Sequence, residues 1–282
     1  MRSVVITGTS TGIGWGTAKV LLGNGFRVFG SVRKTADAER LSHEFGDNFV
    51  PLLFDVTDEA ATNAAADQVR AELGGERLAG LVNNAGVAVA GPLLELPIEE
   101  FRHQIDINLV GVVIVTKAFA PLIGTDPLFH GNPGRIINIS SVGGRNAVPF
   151  LAPYNASKFA LEGLSESLRR ELLPFGIDVI VIGPGAVATP IWSKAESIDV
   201  APFANTPYAT ALERMRNYML SMGKKGLPPE RIGETVLQAL TATKPKVRYA
   251  VTPQPLQDLL ARTLPKRVVD RMIGGRLGLL PR

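Results

Sequence analysis

Three side chains in the middle of the sequence have the types and spacing needed to move a proton. Tyr154 and Lys158 are four residues apart, so they share one face of the helix that the surrounding sequence predicts. A free tyrosine has a pKa of roughly 10 and is a weak base near neutrality, whereas a nearby lysine charge favours the phenolate. Ser141 ends a predicted strand thirteen residues earlier. The pattern predicts acid-base catalysis, although a tyrosine and lysine pair on a solvated helix face has the same spacing.

Other residue types that commonly do acid-base or nucleophilic chemistry are scarce. The chain has no cysteine, which excludes disulfides, a thiol nucleophile and thiolate metal sites. His43, His103 and His130 have no metal-ligand spacing, so no metal site is predicted. Acid-base work therefore falls to Tyr, Lys, Asp or Glu. The absence of cysteine suits a reducing compartment, and we expect a cytoplasmic protein.

A glycine-rich turn lies between the first predicted strand and the first predicted helix. It reads Thr-Gly-Thr-Ser-Thr-Gly-Ile-Gly, from Thr7 to Gly14. Glycines let the backbone approach a pyrophosphate, and the free N–H groups of the helix start receive its charge. Residues 8–12 also read as GxSxG, the nucleophile elbow of α/β hydrolases, but that fold needs earlier strands and a late histidine. The last histidine here is His130, so the turn favours dinucleotide binding.

The elements that must position these groups alternate regularly along the chain. Buried β-branched runs alternate with segments of helical period, which predicts a Rossmann-like, doubly wound α/β fold with a predominantly parallel seven-stranded sheet and helices on both faces. The predicted strands span residues 4–7, 27–32, 49–55, 78–83, 135–140, 177–183 and 248–251. The predicted helices include residues 13–22, 59–73, 99–122, 153–173 and 229–243.

The length of 282 residues and the lack of a linker predict a single domain over residues 1–282. Residues 190–226, rich in aromatic residues, Met, Pro and Gly, form a predicted substrate lid, or else an ordinary core helix pair. Residues 253–282 form a C-terminal extension, for which a packed helix is the simplest interpretation. No apolar run is long enough to predict a transmembrane segment. The net charge of +4 is mild, and no basic tract predicts a nucleic-acid surface.

The order of the motifs resembles that of the short-chain dehydrogenase/reductase family over residues 1–252. The turn matches TGxxxGxG, and Tyr154 with Lys158 matches YxxxK at the family's usual interval from Ser141. The later half is similar to the branch of retinol and hydroxysteroid dehydrogenases. By this resemblance, the cofactor-binding residues comprise Gly8, Ser10, Thr11, Gly12, Ile13, Gly14, Arg33, Asp55, Val56, Asn84, Ala85, Gly86, Tyr154, Lys158, Pro184, Gly185, Val187 and Thr189.

The same resemblance implies the catalytic roles. Tyr154 exchanges a proton with the substrate oxygen, Ser141 orients that oxygen, and Lys158 holds the nicotinamide ribose and lowers the tyrosine pKa. Asn108 binds a water in a proton relay from Lys158, unless it only caps or kinks its helix. Ser140 is a rival for Ser141, because adjacent strand residues face opposite sides, but the interval to Tyr154 favours Ser141.

The end of the second strand bears on which dinucleotide is bound. A carboxylate there accepts hydrogen bonds from the adenosine ribose of NAD, whereas a cation binds the 2'-phosphate of NADP. The sequence has Val32 where NAD-preferring relatives carry Asp, followed by Arg33, with Ser10 as a further hydroxyl donor. This pattern favours NADP over NAD, the alternative being that Arg33 belongs to a solvated charged turn.

These patterns together predict an NAD(P)-dependent oxidoreductase acting on CH–OH donors. The expected substrate is a small hydrophobic molecule, a secondary alcohol, ketone or aldehyde of steroid, retinoid or similar type. The alternative is a noncatalytic dinucleotide-binding sensor of the same fold, for which a full set of Asn108, Ser141, Tyr154 and Lys158 has no use. The family usually forms dimers or tetramers through helices that correspond to residues 99–122 and 153–173, so we expect a homodimer or homotetramer.

Overall fold

The computed structural model describes residues 1–189 and 203–281, with residue 224 described by its backbone alone. Seven strands form one sheet in the order β3-β2-β1-β4-β5-β6-β7, and every neighbouring pair is parallel. The strands are β1 (Ser3–Ile6), β2 (Arg27–Val32), β3 (Phe49–Leu53), β4 (Gly80–Asn83), β5 (Arg135–Ile139), β6 (Asp178–Pro184) and β7 (Arg248–Val251). The predicted doubly wound fold is confirmed, and each predicted strand boundary lies within two residues of the observed one.

Helices cover both faces of the sheet because its central strands are apolar on both sides. One face packs against α3 (Glu59–Leu73), α5 (Gly111–Ala120) and α6 (Ala152–Glu171). The other face packs against α1 (Gly12–Gly23), α2 (Thr35–Phe45) and α8 (Pro229–Thr241). The remaining helices are α4 (Ile98–Ile105), α7 (Ala209–Lys224), α9 (Pro255–Thr263) and α10 (Lys266–Leu277).

The helix predicted over residues 99–122 is interrupted. Two π-helical turns, Asp106–Val110 and Pro121–Thr125, flank α5 and separate it from α4 at one end. The whole stretch, Ile98–Thr125, is the one segment among the described residues that is long and apolar enough to cross a membrane, and an 18-residue window within it has a mean hydropathy of 1.9. The expectation that the chain has no transmembrane segment therefore stays a prediction. Because 56% of its apolar window is buried inside the protein, it also fits a core helix.

The C-terminal third departs most from the expected element list. Of the predicted lid, residues 190–202 lie outside the described ranges, and most of the remainder forms α7. The C-terminal extension contains two helices rather than one, since Pro265 separates α9 from α10. Helix α10 packs through Leu277 against α7, whereas α9 has no buried residue.

Candidate active site

The candidate site lies at the edge where the carboxyl ends of the strands meet. Strands β2 and β3 follow β1 on one side of it, whereas β4 to β7 follow one another on its other side. The strand order therefore reverses between β1 and β4. Ligands of open α/β sheets bind at such a switch point. The glycine-rich turn follows β1, and Ser141 and α6 follow β5, so the predicted cofactor and proton-transfer groups share one edge.

The glycine-rich turn has a backbone that side chains would not tolerate. Gly8 and Gly12 have φ angles of +71° and +62°, which favour glycine. A Cβ on Gly14 would lie 2.1 Å from the Gly8 carbonyl oxygen. Thr11 precedes α1 without a side-chain cap, so the helix start presents backbone N–H groups. This arrangement fits the pyrophosphate of a dinucleotide.

A buried polar network holds this turn in place. The Thr7 hydroxyl accepts hydrogen bonds from the backbone N–H groups of Asn84 and Ala85, at 2.9 and 3.0 Å. The Asn84 amide donates in turn to the carbonyls of Thr7 and Gly8, at 2.8 and 3.0 Å. Ser31 Oγ accepts from the Gly8 N–H at 2.9 Å. The predicted residues Asn84 and Ala85 therefore lie beside the turn, whereas the supporting roles of Thr7 and Ser31 were missed.

Two arginines lie around the end of β2. Arg33 forms an ion pair with Asp55 at 3.5 Å, and its side chain is 67% exposed. Burial alone would raise the pKa of Asp55, but hydrogen bonds from Thr57 and the charge of Arg33 lower it overall. Arg40 on α2 donates to the carbonyl of Ser10 at 2.7 Å. Sequence reasoning missed Arg40 because α2 was not among the predicted helices.

Tyr154 and Lys158 on α6 face Ser141 at the end of β5. The Lys158 ammonium donates to the Ile139 carbonyl at 2.8 Å and lies 5.9 Å from the centroid of the Tyr154 ring. Ser141 Oγ accepts from the Gly143 N–H at 2.9 Å and hydrogen-bonds the Tyr154 hydroxyl. The fold thus brings together three predicted residues from two elements.

The pKa values of this cluster differ from the expectation. Burial raises the pKa of the Tyr154 phenol, and a hydrogen bond with Ser141 offsets this in part. Desolvation lowers the pKa of Lys158 to about 8, against the opposing charge of Glu162. The sequence predicted that Lys158 would lower the tyrosine pKa. Desolvation instead dominates the pKa of Tyr154, and the phenol is protonated near neutrality.

Asn108 and Ser140 have different surroundings from those that the resemblance suggested. Asn108 is buried in the π-helical turn, where its amide bonds both backbone groups of Val87 and the Ser157 hydroxyl. It therefore ties the chain after β4 to α6, and its relay role stays a prediction. Ser140 is buried and its hydroxyl lacks a partner among the described residues. Ser141 supplies the hydrogen bond that affects the pKa of Tyr154.

The chain after β6 closes one side of the site. A Cβ on Gly185 would lie 2.6 Å from the Thr252 hydroxyl, so this turn packs closely on the end of β7. The Leu227 N–H donates to the Ala186 carbonyl, and the Ala188 N–H donates to Leu227, at 2.9 and 2.8 Å. These bonds join the chain just after β6 to the residues that follow α7. Three other predicted residues, Pro184, Val187 and Thr189, lie along the same stretch.

An apolar cluster lies beside the start of α6. Phe150, four residues before Tyr154, has a φ of +63°, a strained value for a bulky residue. Its ring meets Tyr208 edge-on at 6.1 Å. The cluster contains Phe150, Ala211, Leu212, Met215 and Leu277, with Val148, Leu151, Phe203, Tyr208, Met219, Ile273 and Leu279 packed against it. Helix α7 therefore packs an apolar surface against Phe150 and Leu151, which directly precede α6.

Comparison with known proteins places the chain among enzymes. The short chain dehydrogenase family profile matches residues 2–199. An NADPH-dependent 3-dehydrocapnine reductase from Ornithobacterium rhinotracheale is 38% identical over 96% of both chains. A 3-ketodihydrosphingosine reductase from Bacteroides thetaiotaomicron is 33% identical, covering 89% of this chain and 87% of its own. Mouse retinol dehydrogenase 16 is 32% identical, covering 88% and 80%.

Solved structures support the same assignment. A short-chain dehydrogenase from Streptomyces avermitilis superposes with a TM-score of 0.77 at 26% identity, over 99% of this chain and 97% of that one. A 3-ketoacyl-(acyl-carrier-protein) reductase from Brucella melitensis, complexed with NADH, gives 0.72 at 25% identity over 89% and 96%. With the glycine-rich turn and the YxxxK pair on one sheet edge, this chain belongs to the short-chain dehydrogenase/reductase family and is an oxidoreductase.

Proposed function

We propose that this protein is an NADPH-dependent reductase of ketones that carry a long apolar chain. The observation that carries the proposal is the Tyr154 phenol, which desolvation keeps protonated beside the Ser141 hydroxyl. A protonated phenol suits the delivery of a proton to a carbonyl oxygen, whereas alcohol oxidation needs the phenolate. The protonated phenol therefore supports reduction as the proposed direction.

The cofactor cradle fits a dinucleotide because the Gly8 to Gly14 turn leaves no room for a Cβ at Gly14. When bound there, the nicotinamide supplies the hydride. The other residues that would hold the cofactor are Thr11 and Ile13 at the helix start, Lys158 at the ribose and the 184–189 turn. Asn84, Ala85 and Gly86 line the same edge after β4.

The chain's own residues complete the reduction by handling the proton. The hydroxyls of Ser141 and Tyr154 orient the substrate oxygen, and Tyr154 transfers its proton to that oxygen as hydride reaches the carbon. The products are the alcohol, the oxidised cofactor and the Tyr154 phenolate. Protonated Lys158 favours the phenolate, which then regains a proton from solvent.

A preference for NADPH is supported by the charges around β2. Val32 puts no carboxylate at the strand end. Two cations lie nearby, since Arg40 donates to the Ser10 carbonyl and Arg33 pairs with Asp55. Arginine binds phosphate through paired hydrogen bonds. The related 3-dehydrocapnine reductase is NADPH-dependent, whereas the Brucella reductase was solved with NADH.

The substrate class is supported by the apolar cluster around Phe150 and Met215, which includes the residues that directly precede α6, the helix of Tyr154. Two relatives are named as reductases of a 3-dehydro or a 3-keto compound, one of them derived from dihydrosphingosine. A ketone on a long alkyl chain places its reacting carbon at Tyr154 and its chain along the cluster. Burial of that chain contributes about 0.8 kcal/mol per methylene group.

The test is a steady-state assay with NADPH and NADH on 3-ketodihydrosphingosine and on 2-ketones of increasing chain length. We expect kcat/KM with NADPH to rise with chain length and to exceed the value with NADH. Turnover that favours short polar ketones or alcohol oxidation would contradict the proposal. NADPH binding by fluorescence without turnover of any substrate would favour the noncatalytic sensor instead.

We also propose that the protein is a homo-oligomer. Val110 and Val113, around the start of α5, and Phe159 on α6 are exposed, at 43%, 37% and 46%. These positions lie in the stretches through which the family's subunits usually meet. Light scattering coupled to size exclusion should give a mass of two or four chains, and a monomer at micromolar concentration would contradict the proposal.

A further inference from the structure

Glu162 and Arg248 form a nearly buried ion pair next to the proton-transfer residues. Arg248 Nε lies 3.1 and 3.0 Å from the two carboxylate oxygens of Glu162. Their side chains are only 10% and 14% exposed, for Arg248 and Glu162. Arg145 adds a weaker contact to the same carboxylate at 3.4 Å. Pairs this far from water need several hydrogen bonds to offset their desolvation, which implies a specific arrangement.

The neighbouring backbone leaves space for this pair. A Cβ on Gly183 of β6 would lie 2.3 Å from the Arg248 guanidinium. A Cβ on Gly144 would lie 3.2 Å from Glu162 Cγ and 3.0 Å from the Lys158 carbonyl oxygen. Any larger residue at position 183 would collide with the guanidinium.

The pair links Ser141 to the helix that carries Tyr154 and Lys158. Arg248 Nη2 donates to the Ser141 carbonyl at 3.2 Å, while Lys158 donates to the Ile139 carbonyl at 2.8 Å. Two cations thus bond alternate carbonyls at the end of β5. Glu162 lies one helical turn after Lys158 on α6, so the chain Ser141–Arg248–Glu162 connects β5, β7 and α6.

The pair also sets charges around Lys158. Glu162 opposes the desolvation of the Lys158 ammonium. Two cations face the same carboxylate, Arg248 from β7 and Arg145 from the turn after β5, and both are ion-paired with Glu162. Removing the Glu162 carboxylate leaves only positive groups around Lys158, whereas removing the Arg248 guanidinium leaves Glu162 paired with Arg145 alone and so reduces the positive charge near Lys158.

We propose that Glu162 and Arg248 are positioning residues for the reduction, because they fix Ser141 against α6 and tune the charge state of Lys158. This inference rests on the proposed function for its kinetic consequences alone. The tuning of Lys158 belongs to the folded protein and is measured without substrate or cofactor. The tuning of Lys158 and the kinetic role can therefore be contradicted independently of each other.

The tuning is tested by NMR titration of the ¹³C-labelled Lys158 side chain, assigned by its loss in Lys158→Arg. We expect Glu162→Gln to lower the pKa of Lys158 and Arg248→Met to raise it, each by about half a unit or more. If the pair only held Ser141 against α6, the two variants would not shift the pKa of Lys158 in opposite directions. Shifts of the same sign, or none in either folded variant, would overturn the tuning.

The positioning is tested by kinetics on the same proteins. Arg248→Lys keeps the charge but loses the bond geometry, so we expect kcat to fall about tenfold while the pKa of Lys158 stays near that of the wild type. The matched control is Glu234→Gln, which removes the exposed Arg231–Glu234 pair on α8 and should leave both readouts unchanged. Unchanged kcat in folded Arg248→Lys would overturn the positioning role. Wild-type protein without turnover would instead count against the proposed function, while the titration still decides the tuning.

Discussion

The two halves of the candidate site are built from different parts of the chain. The cofactor half follows β1 to β4 and is mainly backbone: glycines with positive φ, free N–H groups at the start of α1 and a supporting network around Thr7. The catalytic half follows β5 to β7 and is made of buried and half-buried side chains on α6 and the strand ends. The first half recognises shape and negative charge, and the second half controls protons.

This difference predicts different responses to substitution. In the cofactor half an added methyl group collides with backbone that has no room to move, so the damage is steric. In the catalytic half substitutions of equal size change charge, desolvation and pKa values. Each of the following experiments compares the two kinds of response.

The largest expected effect is the loss of the proton donor in the catalytic half. Tyr154→Phe removes only the hydroxyl, so we expect kcat to fall by about a thousandfold. NADPH affinity should stay unchanged, because the cofactor half remains intact. Steady-state kinetics and a fluorescence titration give the two values. Turnover near the wild-type rate, or a parallel loss of NADPH binding, would break the separation between the two halves.

The titration of Lys158 should be visible in the stability of the protein. Its folded pKa is lowered to about 8 from 10.5. The unfolded chain therefore binds more protons between these values, and the stability that Lys158 contributes is present above 10.5 and lost as the pH falls through 8. From pH 8 to pH 10 the free energy of unfolding of wild type should rise by about 2 kcal/mol relative to Lys158→Met. Urea melts at both pH values measure this difference, and a constant difference would show that the ammonium is not desolvated.

The cofactor half should respond to a single methyl group. Gly14→Ala places a Cβ 2.1 Å from the Gly8 carbonyl oxygen, so we expect an unfolding free energy lower by about 2 kcal/mol. NADPH should also bind roughly tenfold more weakly or worse, because the added Cβ displaces the backbone of the glycine-rich turn at Gly8. Gly23→Ala is the matched control, since the same helix leaves open space around that position. Equal effects at both glycines would indicate a general helix effect and not a cofactor cradle.

The smallest effect concerns charge in the cofactor half. Arg33→Asp should lower the ratio of kcat/KM with NADPH to kcat/KM with NADH by about tenfold, because it replaces a phosphate partner with a carboxylate. Arg102→Asp on the exposed surface of α4 controls for overall charge. An unchanged ratio in Arg33→Asp would assign Arg33 to the ion pair with Asp55 alone.

The sequence predicted the fold well because its signals are local and repeated. Continuous apolar runs identified all seven strands, and periodicity identified most helices of the core. The π-helical turns around α5 were missed because they keep the helical pattern of apolar residues. Helices α2, α7 and α9 were not separately predicted. For α9 the reason is physical, since it has no buried residue and hence little of the pattern that burial imposes.

Within the site, the motifs located Ser141, Tyr154 and Lys158, which lie close in the sequence on consecutive elements. The partners that act across the fold were not predicted. Thr7 pairs with Asn84, and Arg248 pairs with Glu162 over a separation of 86 residues. Nothing in the local sequence marks such a pairing, because it depends on which distant segments the fold brings together.

The sequence by itself determined the alternation of strands and helices, the glycine-rich turn and the Tyr154 and Lys158 spacing, because backbone conformation and helical period act between near neighbours. Only the tertiary structure decided which side chains lost their water and which charges faced them. Desolvation and long-range ion pairs depend on segments that are distant in the chain. For that reason three features arise only when β5, β6, β7 and α6 meet. They are the raised pKa of Tyr154, the lowered pKa of Lys158 and the hydrogen bond from Arg248 to the Ser141 carbonyl.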